Sequence, residues 1–454
     1  MLRHSRNDMK QNMTTGSTGK HLISFAIPMI LGNLFQLTYN AADSIIVGRY
    51  AGEDALAAVG TSNPIMNIVI FFIVGICMGA SVLMSEFYGA EDFIKLKKEI
   101  STSIIVGSIF SIVITILCIA LAKPILLLIN TPHEILQDAV SYLRVIFIGL
   151  IFTFFYNIYA STLRSMGDSK TPIYFVMIAA ILNVLLDIIL VKYFHQGAAG
   201  AAISTVIAQA VSAILCVIYA YRKIPILRFN RKDLVIDKSL LKQTISYSWF
   251  TSMQQTVLYI GKVFVQGAVN PLGISSIATF NAVNRVDDFA FTPQQSIAHG
   301  MTTFIAQNRG AKSDKRIRKG FIRGLQIEFA YWVILFVAVY LGAGSMMKMF
   351  ITDGDARVVT LGTEYLKAMA IFYALPALTN GVQGYFRGMG MLKVTLNATT
   401  VQMIARVIAA YVLAPRMGIT GIAYACLIGW VAMLLYEIPV YIKLQGKLQK
   451  DKKL

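Results

Sequence analysis

Charge is scarce in this chain. Only 14% of its 454 residues are Asp, Glu, Lys or Arg, where a soluble chain of this length would carry about 25%. That shortage excludes an ordinary soluble globule. Acids are scarcer than bases, 23 against 41, for a net charge of +18; in so apolar a chain this excess points to a charged membrane face and not to nucleic acid. Cysteine is limited to Cys77, Cys118, Cys216 and Cys426. All four lie inside apolar runs and no pair has metal-ligand spacing, which excludes a disulfide framework and a cysteine metal centre. No polar stretch is long enough to fold as a soluble domain. A cleavable signal peptide is not expected, because the N-terminus is polar and basic and the first apolar run is too long for one.

What is present is apolar. Hydrophobic residues make up 56% of the chain and the mean hydropathy is +0.63. Runs of about 20 apolar residues recur along the whole length and mark a polytopic, all-α integral membrane protein. Twelve spans are expected, at 22–46, 55–84, 100–122, 139–163, 171–192, 198–220, 242–266, 276–304, 320–344, 361–386, 394–415 and 420–442. With the N-terminus inside, thirty of the 41 Lys and Arg fall on one side and six on the other; Arg144, Lys262, Arg285, Lys367 and Arg406 fall within spans. That bias predicts that both termini are cytoplasmic, in a multi-pass protein of the cell membrane.

The chain also repeats. Ser161-Thr162-Leu163-Arg164-Ser165-Met166-Gly167 aligns with Gly384-Tyr385-Phe386-Arg387-Gly388-Met389-Gly390 at an offset of 223. Gly197-Ala198-Ala199-Gly200 aligns with Gly418-Ile419-Thr420-Gly421 at 221, as does Tyr88-Gly89-Ala90 with Arg309-Gly310-Ala311. The order and near-constant offset predict two six-span lobes of like orientation, related by a pseudo-twofold axis along the membrane normal. The expected organisation is an N-terminal lobe at 1–221, a basic cytoplasmic linker at 222–242 and a C-terminal lobe at 243–454. Such parallel repeats are a transporter architecture, with substrate bound between the halves.

Polar groups inside the spans are few. Asn183 and Asp187 stand four apart in an otherwise apolar span and so share one helix face. A carboxylate in a span costs roughly 2.5–3.5 kcal/mol on insertion scales and turns toward a polar interior or an ion path. A purely structural interhelical hydrogen bond is the plainer alternative. Asp43 in span 1 and Thr205 in span 6 fall at similar depths, roughly 5 Å and 10 Å from the outer end against roughly 8 Å for Asp187. Two carboxylates at one level in a low dielectric hold a proton or have a cation between them. Oxygen-only ligands suit a proton or a hard cation such as Na⁺, not zinc or copper. Gln36, Tyr39 and Asn40 add polarity to span 1. Pro28 loosens its early turns, as a hinge or as a tolerated kink. The second half carries Gln254, Gln255 and Lys262 in span 7, and Asn281, Asn284, Arg285, Asp287, Asp288 and His299 in span 8. Lys262, Arg285, Asp287 and Asp288 sum to zero charge and read as one buried neutralising cluster, with substrate recognition as the alternative. Arg406 aligns with Asn183, so the second half does not repeat the ion site. His299 reads as a helix-packing residue.

These features together resemble the multidrug and toxic compound extrusion (MATE) transporters over essentially the whole chain. The resemblance rests on twelve spans in two lobes, Pro28, Asp43 followed by Ile45-Ile46-Val47-Gly48, Leu56-Ala57-Ala58-Val59-Gly60, Gly89-Ala90, and the Arg164…Gly167 turn with its repeat Arg387…Gly390. The details look like the DinF-like or MepA-like branch, whose N-terminal cation site Asp43, Asn183, Asp187 and Thr205 match. The resemblance implies a secondary active antiporter, not an enzyme, that exports lipophilic, mostly cationic compounds in exchange for H⁺ or Na⁺. It implies no cofactor, no nucleic-acid partner, small organic cations as substrates, the lipid bilayer as surroundings and a monomeric state. Gln36, Tyr39, Asn40, Gln254, Gln255, Asn281 and Asn284 are the candidate substrate-cavity residues. Another branch couples through acids in spans 7 and 10; here span 7 offers Gln254 and Gln255, and span 10 has no acid past Glu364. Three other readings are weighed. A major-facilitator transporter would carry a basic turn after span 2 that Ser85–Asp92 lacks. A flippase for a lipid-linked or polyprenyl-linked substrate would share the superfamily. An intramembrane aspartic hydrolase would need a Gly-Asp catalytic turn that neither Asp43 nor Asp187 has.

Overall fold

The computed structural model describes residues 12–350 and 356–451. The basic tail residues Arg3, Arg6, Lys10, Lys452 and Lys453 lie outside the described residues. Apolar runs with few glycine or proline interruptions can satisfy their backbone only as helices in lipid, and the described residues form fourteen α-helices and no strand. The first half contains α1 (Thr18–Tyr50), α2 (Glu53–Gly89), α3 (Phe93–Leu128), α4 (His133–Ile148), α5 (Leu150–Ser165), α6 (Lys170–Asp187) and α7 (Gly197–Lys223). The second contains α8 (Lys238–Val269), α9 (Ile274–Gly310), α10 (Asp314–Phe350), α11 (Ala356–Phe372), α12 (Ala374–Gly388), α13 (Leu392–Met417) and α14 (Ile419–Asp451).

Two expected spans are not continuous. The fourth is α4 and α5, meeting at 40°, and the tenth is α11 and α12, meeting at 44°. The first break falls at Gly149, where a Cβ would lie 2.8 Å from the Val206 side chain on α7. The second falls at Tyr373, three residues before Pro376, whose ring displaces the carbonyl one turn earlier. With each bent pair counted as one span, the helices fill twelve places. Ten are long and apolar enough to cross a membrane by composition. The other two, α8 and α9, have the length, 32 and 37 residues, but carry the polar groups of spans 7 and 8. α1 continues as helix through Pro28.

The chain divides into two compact units. One takes the described residues up to Ser17, then Ser24–Gln255 and Ala306–Asp314; the other takes Thr18–Ile23, Thr256–Ile305 and the described residues from Lys315 onward. In the first, a buried core of Ile73, Cys77, Met84, Leu143, Phe147 and Phe154 joins α2 to α4 and α5. In the second, Val265, Val283, Tyr365, Met369, Ile422 and Trp430 form the corresponding core.

Within the first unit the segment 222–242 is docked on α3. Lys97 pairs with Asp233 at 2.7 Å and Lys98 with Asp237 at 3.3 Å. Asp237 starts α8 as its cap, accepting from the Ser239 and Leu240 amides at 3.0 and 3.3 Å. The Ser239 hydroxyl and the Leu240 amide, with Lys98, hold the Asp237 carboxyl down at about 2, so the cap stays ionised at neutral pH. Thr244 on α8 donates to the fully buried Glu99 at 2.8 Å. Small residues then let the helices approach closely. A Cβ on Gly75 or Gly79 would lie 2.5 Å from the backbone of Ser252 or Ser248.

The closest approach is between repeat-equivalent residues. A Cβ on Gly89 would stand 1.9 Å from the Gln307 carbonyl oxygen, and one on Gly310 would stand 1.9 Å from that of Glu86. Glu86 aligns with Gln307, and Gly89 with Gly310, at the same offset of 221. Reciprocity of this kind is what a twofold relation produces. Arg309 pairs with Glu86, Gln307 Nε2 donates to the Ser165 carbonyl at 2.7 Å, and the Met13 amide donates to Gln307 Oε1 at 3.0 Å. Both glycines are therefore steric requirements. Gly310→Ala should destabilise the purified chain by roughly 1–3 kcal/mol, the usual effect of overpacking. Gly60→Ala, where a Cβ meets nothing within 4 Å, should be neutral or stabilising. Thermal unfolding of the two variants side by side checks this; equal melting temperatures would refute the crossing.

Candidate functional site

The ends of three helices of the first half build the site. α1 carries Asp43, α6 carries Asn183 and Asp187, and α7 carries Thr205. Asn183 and Asp187 are buried, at 2% and 0% exposure, while Asp43 and Thr205 are half-buried. Asn183 Nδ2 donates to Thr205 Oγ1 at 3.3 Å. The carboxyl groups of Asp43 and Asp187 lie within hydrogen-bonding reach of each other. Asp43 Oδ1, Asp187 Oδ2 and Asn183 Oδ1 are buried without a protein donor. Thr205 directs its own proton to the Ala201 carbonyl at 2.9 Å, which leaves its lone pairs free to accept. The result is a pocket of acceptor oxygens short of donors. Two carboxyl groups in contact in an apolar setting hold together only with a proton or a cation between them.

An apolar layer lies one helical turn away. Val47, Val191 and Ala201 stand four residues from Asp43, Asp187 and Thr205, and they pack with Ile46, Ala198 and Ala202 into one buried cluster. It keeps the local dielectric low on that side. α6 ends at Asp187 and passes into a π-helical turn, Ile188–Tyr193, a local widening found often at functional positions. Among the described residues no Lys or Arg forms an ion pair with either acid.

Sequence reasoning missed Ser204. Its hydroxyl donates to Asp187 Oδ1 and it is fully buried. Its adjacency to Thr205 was the available signal, since two neighbouring hydroxyls on one helix can serve two partners on the next. Tyr142 was also missed; it is buried and close enough to interact electrostatically with both acids.

The other candidates lie on α1, α8 and α9. On α1, Tyr39 is half-buried and bonds Gln36, which is exposed, as is Asn40. On α8, Gln254 is buried, and Gln255 Nε2 contacts Met78 Sδ at 4.0 Å. On α9, Asn281 is exposed and Asn284 half-buried.

The expected neutral cluster of the second half does not form. Lys262 and Asp288 make a loose pair at 3.8 Å with both side chains more than half exposed, and Arg285 is exposed. Asp287 instead is buried and accepts from the Tyr373 hydroxyl at 2.5 Å, with Arg406 as the cation that acts on it most strongly. Helical periodicity explains the split, because residues 285 and 288 share a face and 287 projects from nearly the opposite one. Buried acids also occur at Glu328, whose carboxyl oxygens have no hydrogen-bond partner, and at Glu437, which accepts from the Gln383 amide.

The MatE family model matches this chain twice, over residues 28–189 and 250–412, once in each half. A probable multidrug resistance protein, YpnP of Bacillus subtilis, is 27% identical over 84% of this chain and 85% of its own. The multidrug export protein MepA of Staphylococcus haemolyticus is 23% identical over 95% of both chains. A crystal structure of a MATE in complex with MaL6 superposes with a TM-score of 0.90, at 21% identity, over 96% of this chain and 98% of that one. Two copies of the family model, one in each six-span half, cover most of the chain, and it belongs to the MatE family of membrane transporters.

Proposed function

We propose that this transporter is a secondary active antiporter that exports lipophilic organic cations in exchange for H⁺ or Na⁺ bound in its first half. One observation carries the reading: two carboxyl groups from different helices lie in contact, ringed by acceptor oxygens and lacking a fixed positive partner. A fixed partner would make the pair a structural brace. Its absence leaves the counter-charge to a mobile ion. Asp43 and Asp187 bind that ion, and Asn183, Thr205 and Ser204 orient them. A single proton on the pair or a Na⁺ among these oxygens satisfies the same geometry.

All these groups come from one half of one chain, so a single chain suffices as the functional unit. The 30-to-6 distribution of basic residues supports cytoplasmic termini in the cell membrane. Residues 1–221 and 243–454 serve as the two lobes, joined by 222–242. Gln36, Tyr39, Asn40, Gln254, Gln255, Asn281 and Asn284 are the candidate contacts for substrate, and Pro28 is the place where α1 deforms.

Efflux of a fluorescent lipophilic cation from proteoliposomes tests the proposal, under an imposed pH gradient and separately under a Na⁺ gradient. One gradient should drive wild-type efflux, and Asp187→Asn should reduce it to background while the protein still purifies as a folded monomer. Full gradient-driven efflux by Asp187→Asn would refute the site. Failure of both gradients with wild type would refute the antiport reading.

Ser204→Ala should weaken the apparent affinity for the driving ion by about tenfold, as expected for loss of a hydrogen bond to a charged group, whereas Thr205→Ser should stay close to wild type. Titration of the driving ion at fixed substrate reads this. Saturating ethidium should raise the melting temperature of the purified chain, because a ligand at about 100 times its Kd stabilises the native state by about 2.7 kcal/mol. No shift for ethidium and for a set of other lipophilic cations would count against cation recognition.

A further inference from the structure

The exposed face of α10 has an order that transport does not use. Over its first turns this face presents Lys315, Arg318, Lys319 and Arg323, which with Ile322 and Gln326 line a groove of about 320 Å³. Arg323 is steadied by a hydrogen bond to Gln326 at 2.8 Å. Among the described residues none of the four cations forms an ion pair. The only carboxylate in the first three turns is Asp314, at the first position. Arg316, on another side of the helix, stacks on Phe304 at 5.4 Å and takes no part.

Beyond Gln326 the same face turns apolar and remains exposed. Phe329, Ile334 and Leu341 are 61%, 69% and 78% exposed, with Val333 and Val337 between them. The spacing from Lys315 to Leu341 follows the three- and four-residue steps of a single helical stripe. The opposite stripe, Ile317, Phe321 and Val339, is buried. One continuous surface thus changes from four unpaired cations to bare hydrocarbon along the axis of a membrane-spanning helix. The division matches an amphiphile with an anionic head and apolar tails. A soluble anion would have no use for the lower part of the stripe, and a neutral lipid none for the upper part.

We propose that this face of α10 binds an anionic phospholipid, with its phosphate in the Lys315–Arg323 groove and its acyl chains along Phe329 to Leu341. The volume of the groove falls in the range of roughly 300–1,000 Å³ typical of small-ligand sites. Basic clusters at the end of a span recognise anionic headgroups by this charge complementarity. The site is separate from the acid pair of the first half and does not depend on the antiport reading.

The test uses the full chain purified in detergent, supplemented with dioleoylphosphatidylglycerol or dioleoylphosphatidylcholine. Thermal unfolding is followed, and retained lipid is counted by native mass spectrometry. Phosphatidylglycerol should raise the melting temperature and remain bound, and phosphatidylcholine should do neither. The effect should shrink at high salt, which screens exposed charge. Lys315→Gln/Arg318→Gln/Lys319→Gln/Arg323→Gln should weaken phosphatidylglycerol retention at least tenfold. Arg222→Gln/Lys223→Gln/Lys232→Gln/Lys242→Gln, which removes as much charge elsewhere, should keep it. If the fourfold variant does not fold, Lys319→Gln/Arg323→Gln replaces it, with a smaller loss in the same direction. Equal retention by wild type and α10 variant would overturn the proposal. So would an equal shift with phosphatidylcholine, or a shift of the same size from inorganic phosphate or glycerol 1-phosphate, the mark of a soluble-anion site.

Discussion

Burial of two carboxyl groups side by side is the constraint on which the first half of this protein depends. Separately, each would be an expensive guest in an apolar layer. Together they repel unless something positive intervenes, and the surrounding helices are arranged to supply nothing permanent. Asn183 points its amide nitrogen at Thr205, Thr205 gives its proton to the Ala201 carbonyl, and Ser204 offers a single hydroxyl to Asp187. The valines and alanines of the next layer have no side-chain donor to add. The pair is left with a deficit that only a positive charge offsets. That apolar layer is buried and keeps the deficit in a low dielectric on that side.

Much of this was legible in the amino-acid sequence, for reasons specific to membrane proteins. Lipid forces backbone into helices, so counting apolar runs recovered the twelve places, and scarcity of charge made Asp187 conspicuous. The spacing of Asn183 and Asp187 could mean only one helix face. The breaks at Gly149 and before Pro376 were less legible. Membrane helices tolerate glycine and proline, and whether one bends the chain depends on what packs against it, such as Val206 at Gly149. Ser204 was hidden because serine is common in spans and usually bonds its own backbone. Charge counting failed on α9: summing Arg285, Asp287 and Asp288 ignored that a helix points Asp287 away from the other two. The groove on α10 was visible only as a run of basic residues until burial showed which of them share a face.

The two halves show how one scaffold supports opposite electrostatics. The repeat offset of 223 carries Asn183 onto Arg406 and Asp187 onto Ala410, and the offset of 221 carries Thr205 onto Cys426. Arg406 and Cys426 are close enough to interact, so the juxtaposition of Asn183 with Thr205 between α6 and α7 is repeated between α13 and α14 with different atoms. Ala410 is fully buried where its counterpart Asp187 holds the acid. In that setting Arg406 places a positive charge on the protein, and the buried Asp287 from α9, which accepts from the Tyr373 hydroxyl, lies within its electrostatic reach. The first half has the negative charges without the arginine. The same helix contact therefore carries a protein cation in one half and only carboxyl groups and acceptor oxygens in the other, and this difference, more than any single residue, is what the proposal of ion binding in the first half rests on.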